Sequence, residues 1–114
     1  MIRHTALFTF NDAASKAQID ALMAALLGLK HVIPEIKRIA WGENFSDRAN
    51  GHTHVVAFDF ANRAALAIFY EHPAHKRLAE LSIKPLTASL LLVDYEENTS
   101  SDRVAKDRTL ERRR

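Results

Sequence analysis

The sequence has no cysteine, three glycines, three prolines and a single tryptophan among 114 residues. Without cysteine there can be no disulfide staple, thiolate nucleophile or thiolate metal ligand, and a cytoplasmic location is the expectation. No apolar run approaches the ~18 residues that span a bilayer, so no membrane association is expected. Met1-Ile2-Arg3-His4 is not a basic segment leading into a long apolar one, so no secretory leader is expected. A charge excess is missing too. Residues 1–96 carry ten Lys/Arg against ten Asp/Glu, and residues 97–114 carry six against four. The net charge of +2 therefore belongs to a tail. A neutral body does not attract a phosphate backbone, which argues against nucleic-acid binding. There is no glycine-rich phosphate loop, no serine in a nucleophile turn and no H-E-x-x-H, so no cofactor is expected.

A chain of this length makes one domain, and its periodicities are clear. Residues 2–10 alternate, with Ile2, His4, Ala6, Phe8 and Phe10 on one face and Arg3, Thr5, Leu7 and Thr9 on the other. That is a strand. Ser15 followed by Gln18 forms a capping box before Ile19, Leu22, Met23, Leu26 and Leu29, predicting an amphipathic helix over 16–29. Residues 35–45 read as a second strand, Asn50-Gly51 as a turn and residues 54–60 as a third strand. Asn62 caps a helix carrying Leu66, Phe69 and Tyr70. His72-Pro73 starts another, with Pro at its first position, which Pro85 is expected to end. Residues 89–95 make the last strand. Residues 97–114 are too polar to build a core and are expected to form a flexible charged tail.

The order β-α-β-β-α-β predicts an antiparallel sheet with both helices on one face. The other face is then bare in a single chain. Yet strands three and four are apolar on both faces, with Val55 and Ala57 backing Val56 and Phe58, and Leu91 and Val93 backing Leu90 and Leu92. A second copy covering that face is the simplest arrangement, so a homodimer is expected.

Six histidines are many for such a chain. Strands one and three are read as parallel neighbours, with strand four antiparallel to strand one. His4, His54 and Asp94 then lie at one end of the sheet, all on the helix side. His75, at the third position of its helix, is expected to stay neutral because exposed amides and the dipole oppose its protonation. A neutral imidazole is what a general base requires. The bland alternative is that strand-end histidines bond backbone or water and that the His-Pro-x-His start is capping alone. His31 and His52 fall in loops, and Tyr70, Trp41 and Met23 read as packing. His4, His54 and Asp94 are also metal-ligand types, but their spacing matches no metal signature and no metal is assigned.

The stretches IRHTALFTF, VIPEIKRIAWGENFS, GHTHVVAFDF, YEHPAH and LLLVDYE together resemble the stress-responsive dimeric α/β-barrel (Dabb) family over nearly all of residues 1–96. The resemblance implies an α+β, ferredoxin-like βαββαβ protomer whose four-stranded antiparallel sheet closes with a second copy into a dimeric barrel. A more distant similarity to plant polyketide cyclases of that family implies His75 as catalytic base and His4, His54 and Asp94 as pocket residues. Two tyrosines of those cyclases read Phe69 and Leu26 here, so both positions are expected to line the pocket without donating to a substrate oxygen. The expected function is binding of a small apolar or aromatic molecule between sheet and helices, with a stress-associated role. The alternative is a cofactor-independent lyase, isomerase or cyclase.

Overall fold

The computed structural model describes residues 1–98; the tail expected over 97–114 falls, from residue 99 on, outside the described residues. Strand β1 spans Ile2–Phe10, helix α1 Lys16–Gly28, β2 Ile36–Glu43 and β3 His54–Phe60. Helices α2, Arg63–Glu71, and α3, Pro73–Leu78, follow, and β4 is Thr87–Glu96. The sheet order is β2-β3-β1-β4, with every neighbouring pair antiparallel.

Local chemistry sets the helix starts. Ser15 accepts from the Gln18 amide while the Gln18 side chain accepts from the Ser15 amide, closing the capping box. Asn62 accepts from the Ala65 amide, and the His72 ring accepts from the Ala74 amide. Between β2 and β3 the chain reverses through Asn50 and Gly51, both at positive φ, where glycine is free of a Cβ penalty.

The helices cover one face. Even-numbered residues of β1 and β3 (Ala6, Phe8, Val56, Phe58, Phe60) meet Leu22, Met23, Leu26, Leu66 and Phe69 in a continuous core. Phe8, Phe58, Phe60 and Phe69 are fully buried, and burial of such a side chain stabilises the fold by about 1.5–3 kcal/mol. A register shift between Ile36 and Arg38 puts Ile36 on the same side as Ile39 and Trp41. Strict alternation would have separated them; the inserted residue resets the parity.

Among the described residues nothing covers the opposite face. Leu91, Val93 and Tyr95 of β4 are exposed there, beside Leu7, Val55 and Ala57. Asp59 lies on this face too, but Arg3 folds over it, with Nε 2.8 Å and a terminal nitrogen 3.3 Å from its two carboxylate oxygens. That pairing raises the proton affinity of the Arg3 guanidinium further.

Two expectations need correction. Pro85 does not end the helical region. The chain passes from α3 through a π-helical turn, Ala79–Ile83, into a last turn, α4, Lys84–Leu86. The Lys84 amide bonds the Ala79 carbonyl five residues back, and this wider turn relieves the clash a proline ring makes with an α-helical carbonyl. More consequentially, β1 and β3 are antiparallel, not parallel: Ile2 pairs with Phe60 and Phe8 with His54. β2 runs parallel to β1 from two positions away, and β3, which lies between them and pairs antiparallel with β2, must run opposite to β1.

Candidate functional site

The core leaves a hollow of about 190 Å³ between the sheet and the helices. Its floor is Ala6 and Phe8 of β1, Phe58 of β3, and Leu90 and Leu92 of β4. Its roof is Leu26 of α1, Phe69 of α2, and Ala79 and Ile83 of the π turn. β4 is an edge strand that the helices do not fully cover, so Leu90 and Leu92 remain partly exposed and the hollow is open there. Three polar side chains enter this apolar lining: His4, Tyr70 and His75. Lys84 contributes its stem, while its ammonium pairs outward with Glu80.

His4 sits opposite Asp94 in the β1–β4 register, and its Nδ1 is hydrogen-bonded to Asp94 Oδ1. The other carboxylate oxygen, Oδ2, accepts from the Tyr70 hydroxyl at 2.9 Å. That hydroxyl also lies 3.2 Å from His4 Nδ1. Burial, followed by the bond to Asp94, raises the Tyr70 proton affinity well above that of a free phenol. Asp94 also borders a second hollow, of about 300 Å³, beside Ile2, Arg63 and Glu96, and its carboxylate stays in touch with solvent.

His75 comes from α3, where His72 as cap and Pro73 at the first position set it one turn in. Its ring lies 4.3 Å from that of Phe69 and 5.9 Å from that of Tyr70. Its Nδ1 is 3.4 Å from the Tyr70 carbonyl oxygen. Burial is the main cause that lowers its pKa below the ordinary 6.5; the Tyr70 carbonyl opposes this, and His4, His72 and Lys76 add to it. The neutrality expected from the helix dipole is thus supplied chiefly by desolvation.

The structure therefore brings His4, Leu26, Phe69 and His75 to one cavity, with Asp94 behind His4. It does not bring His54. Because β1 and β3 are antiparallel, His54 lies opposite Phe8, at the other end of the sheet. There it stacks near Trp41 and meets Phe10 edge-on, with its Nδ1 2.8 Å from the Thr53 hydroxyl. Asp94 bonds His4 and Tyr70. Among the described residues no group of three His, Asp or Glu side chains could hold a metal ion, and the His4–His54–Asp94 set does not assemble.

Tyr70 was read as packing, and its place at the cavity mouth is what the sequence reading missed. Phe69 points into the core against Phe58 and Phe60, and Tyr70, about 100° further round α2, reaches the edge strand instead. The available signal was a tyrosine beside a buried helical position, with an aspartate ending the edge strand.

With that geometry in hand, comparison with known proteins identifies the chain. Residues 2–97 match the Dabb family, the Stress responsive A/B Barrel Domain. The chain belongs to this family. It is 28% identical over 102 residues to the stress-response A/B barrel domain-containing protein HS1 of Arabidopsis thaliana, covering 88% of this chain and 93% of that protein. A distant relative is the olivetolic acid cyclase of Cannabis sativa, 25% identical over 96 residues, 82% of this chain and 94% of the cyclase. Among solved structures, the hydroxynitrile lyase from Passiflora edulis aligns with a TM-score of 0.80 at 27% identity, over 85% of this Dabb chain and 93% of the lyase. A dimeric ferredoxin-like protein of unknown function from Thermobifida fusca aligns with a TM-score of 0.73 at 29% identity, over 84% and 90% of the two chains. The fold is thus α+β and ferredoxin-like, with relatives that include dimers and enzymes.

Proposed function

We propose that this Dabb chain is a homodimer that binds a small apolar or aromatic molecule in the cavity between sheet and helices, with residues 1–96 as the working domain. The observation that carries the ligand reading is an apolar hollow of about 190 Å³ into which, among the described residues, only His4, Tyr70 and His75 bring polar groups, Lys84 adding its apolar stem. An apolar cavity of ~150 Å³ already accommodates a benzene ring, so the volume suits an aromatic or short alkyl body with one polar end. The dimer reading rests on the exposed Leu91, Val93 and Tyr95 of the bare sheet face and on the dimeric relatives. A stress-associated role follows the family's description alone. Titrating a panel of small aromatic and alkyl compounds into isotope-labelled protein tests the pocket. Shifts centred on Phe69, His75 and Leu92 are expected; compounds that perturb only other surfaces would overturn it.

A second reading is favoured by one observation, the half-buried place of the His75 ring in the cavity against Phe69 and Tyr70. Burial there lowers its pKa, and an imidazole that resists protonation is suited to general-base catalysis. In this reading the protein is a cofactor-independent lyase, isomerase or cyclase, in keeping with relatives that are a cyclase and a hydroxynitrile lyase. His75 takes a proton from the bound compound, and His4, held by Asp94, lies within the same cavity. Phe69, where the cyclases carry a tyrosine, offers no proton, so the chemistry differs from theirs at that position. Any turnover found in a substrate panel should fall at least a hundredfold in His75→Ala; unchanged turnover would remove His75 from the mechanism.

A further inference from the structure

The cavity and the second hollow beside Asp94 share the same three walls, taken in the same order. On β1 the second hollow touches Ile2, and the cavity touches Ala6 and Phe8. On β4 the second hollow touches Glu96, paired with Ile2, and the cavity touches Leu92 and Leu90, paired with Ala6 and Phe8. On α2 the second hollow touches Arg63 and Leu66, and the cavity touches Tyr70 one turn further along. The two volumes, about 300 and 190 Å³, are therefore successive stretches of one groove between α2 and the β1–β4 pair. One residue from each wall divides them. His4 of β1, Asp94 of β4 and Tyr70 of α2 meet at the boundary, with His4 and Tyr70 bonded to opposite oxygens of the Asp94 carboxylate. His4 is buried against Phe58 and Phe69, and Asp94 stands opposite it in the sheet. The Tyr70 ring is the side chain that crosses the gap from helix to edge strand.

We propose that Tyr70 sets the length of the molecule the cavity accepts. Its ring, tied to Asp94, is a partition that confines an occupant to a single ring or a short alkyl chain. Where that ring is absent, the second hollow becomes a subsite for the chain of a longer compound. This rests on the ligand-binding reading above and narrows it. Ile2 and Leu66, both buried, are the apolar surface such a chain would gain, while exposed Arg63 and Glu96 leave the far end polar. Each methylene moved from water onto apolar surface tightens binding about fourfold. With the partition in place, a chain longer than the cavity turns out past Leu90 and Leu92 into water and gains nothing more.

Straight-chain methyl ketones, lengthened one methylene at a time from butanone, are the test series, with affinity and position read from chemical shifts. In the parent protein affinity should rise about fourfold per methylene and then level off. The longest ketone should shift Phe69 and Leu92 and leave the Ile2 and Leu66 methyls unmoved. In Tyr70→Ala, shown to be folded by circular dichroism, the rise should continue and shifts should appear at Ile2 and Leu66. The parent spectra decide the matter alone if that variant does not fold. Shifts at Ile2 and Leu66 in the parent, or a levelling point unmoved in folded Tyr70→Ala, would overturn the partition while leaving cavity binding standing. If no ketone perturbed the cavity at millimolar concentration, the ligand-binding reading would fall with it.

Discussion

The Tyr70 hydroxyl donates to Asp94 Oδ2 at 2.9 Å, across from the Oδ1 atom that His4 Nδ1 occupies. One carboxylate from the edge strand thus holds a ring from β1 and a phenol from α2, tying three elements together at the mouth of the cavity. Tyr70→Phe removes the phenol without opening a void. It is expected to lower stability by about 1 kcal/mol, discounted for the solvent that Asp94 still meets. Urea denaturation of the two proteins measures this, and no change in midpoint would mean that water replaces the bond at no cost.

His75 makes stability depend on pH in a definite direction. Its pKa is depressed in the fold, so below the ordinary 6.5 the unfolded chain takes up a proton that the folded chain resists. Stability from this residue alone should therefore fall as pH drops through 6.5 and be unaffected above it. Denaturation midpoints between pH 5 and 8, compared with those of His75→Gln, isolate its share. The variant should show the shallower slope; parallel curves would mean that the ring is free to protonate in the fold.

Leu22 lies at the centre of the α1–sheet contact and is fully buried. Truncation to Ala should cost about 2–5 kcal/mol, a large part of the roughly 5–15 kcal/mol that holds a domain folded. Ser15→Ala, which removes half of the capping box, should cost about 1 kcal/mol. Thermal and urea unfolding together should rank Leu22→Ala well below Ser15→Ala.

Val93 sits on the bare sheet face, opposite Thr5 of β1. An arginine there would place an unpaired charge in the surface proposed to join two copies. Sedimentation at micromolar concentration should show a dimer for the parent protein and a monomer with unchanged far-UV circular dichroism for Val93→Arg. A monomeric parent would overturn the dimer.

Much of the fold was legible in local pattern. The bounds of β1 and β3 coincide with the alternating run at 2–10 and the run apolar on both faces at 54–60. The capping box at Ser15 and the His72 cap formed because their partners lie within three residues. What failed was of two kinds, local backbone adjustment and pairing between distant parts of the chain. The widened turn before Pro85 and the register shift after Ile36 are compensations that no short window shows.

The sequence by itself determined which residues of β1 share a face, because alternation is a property of neighbouring residues. It could not determine which end of a strand lies beside which end of its neighbour, since the alternating pattern reads the same in either direction. Tertiary pairing decided that. It ran β3 against β1, sent His54 to the far end of the sheet, and left His4 facing Asp94 and Tyr70. Chain connectivity made that choice: the crossover through α1 leaves β2 parallel to β1, and the reversal from β2 sets β3 against both.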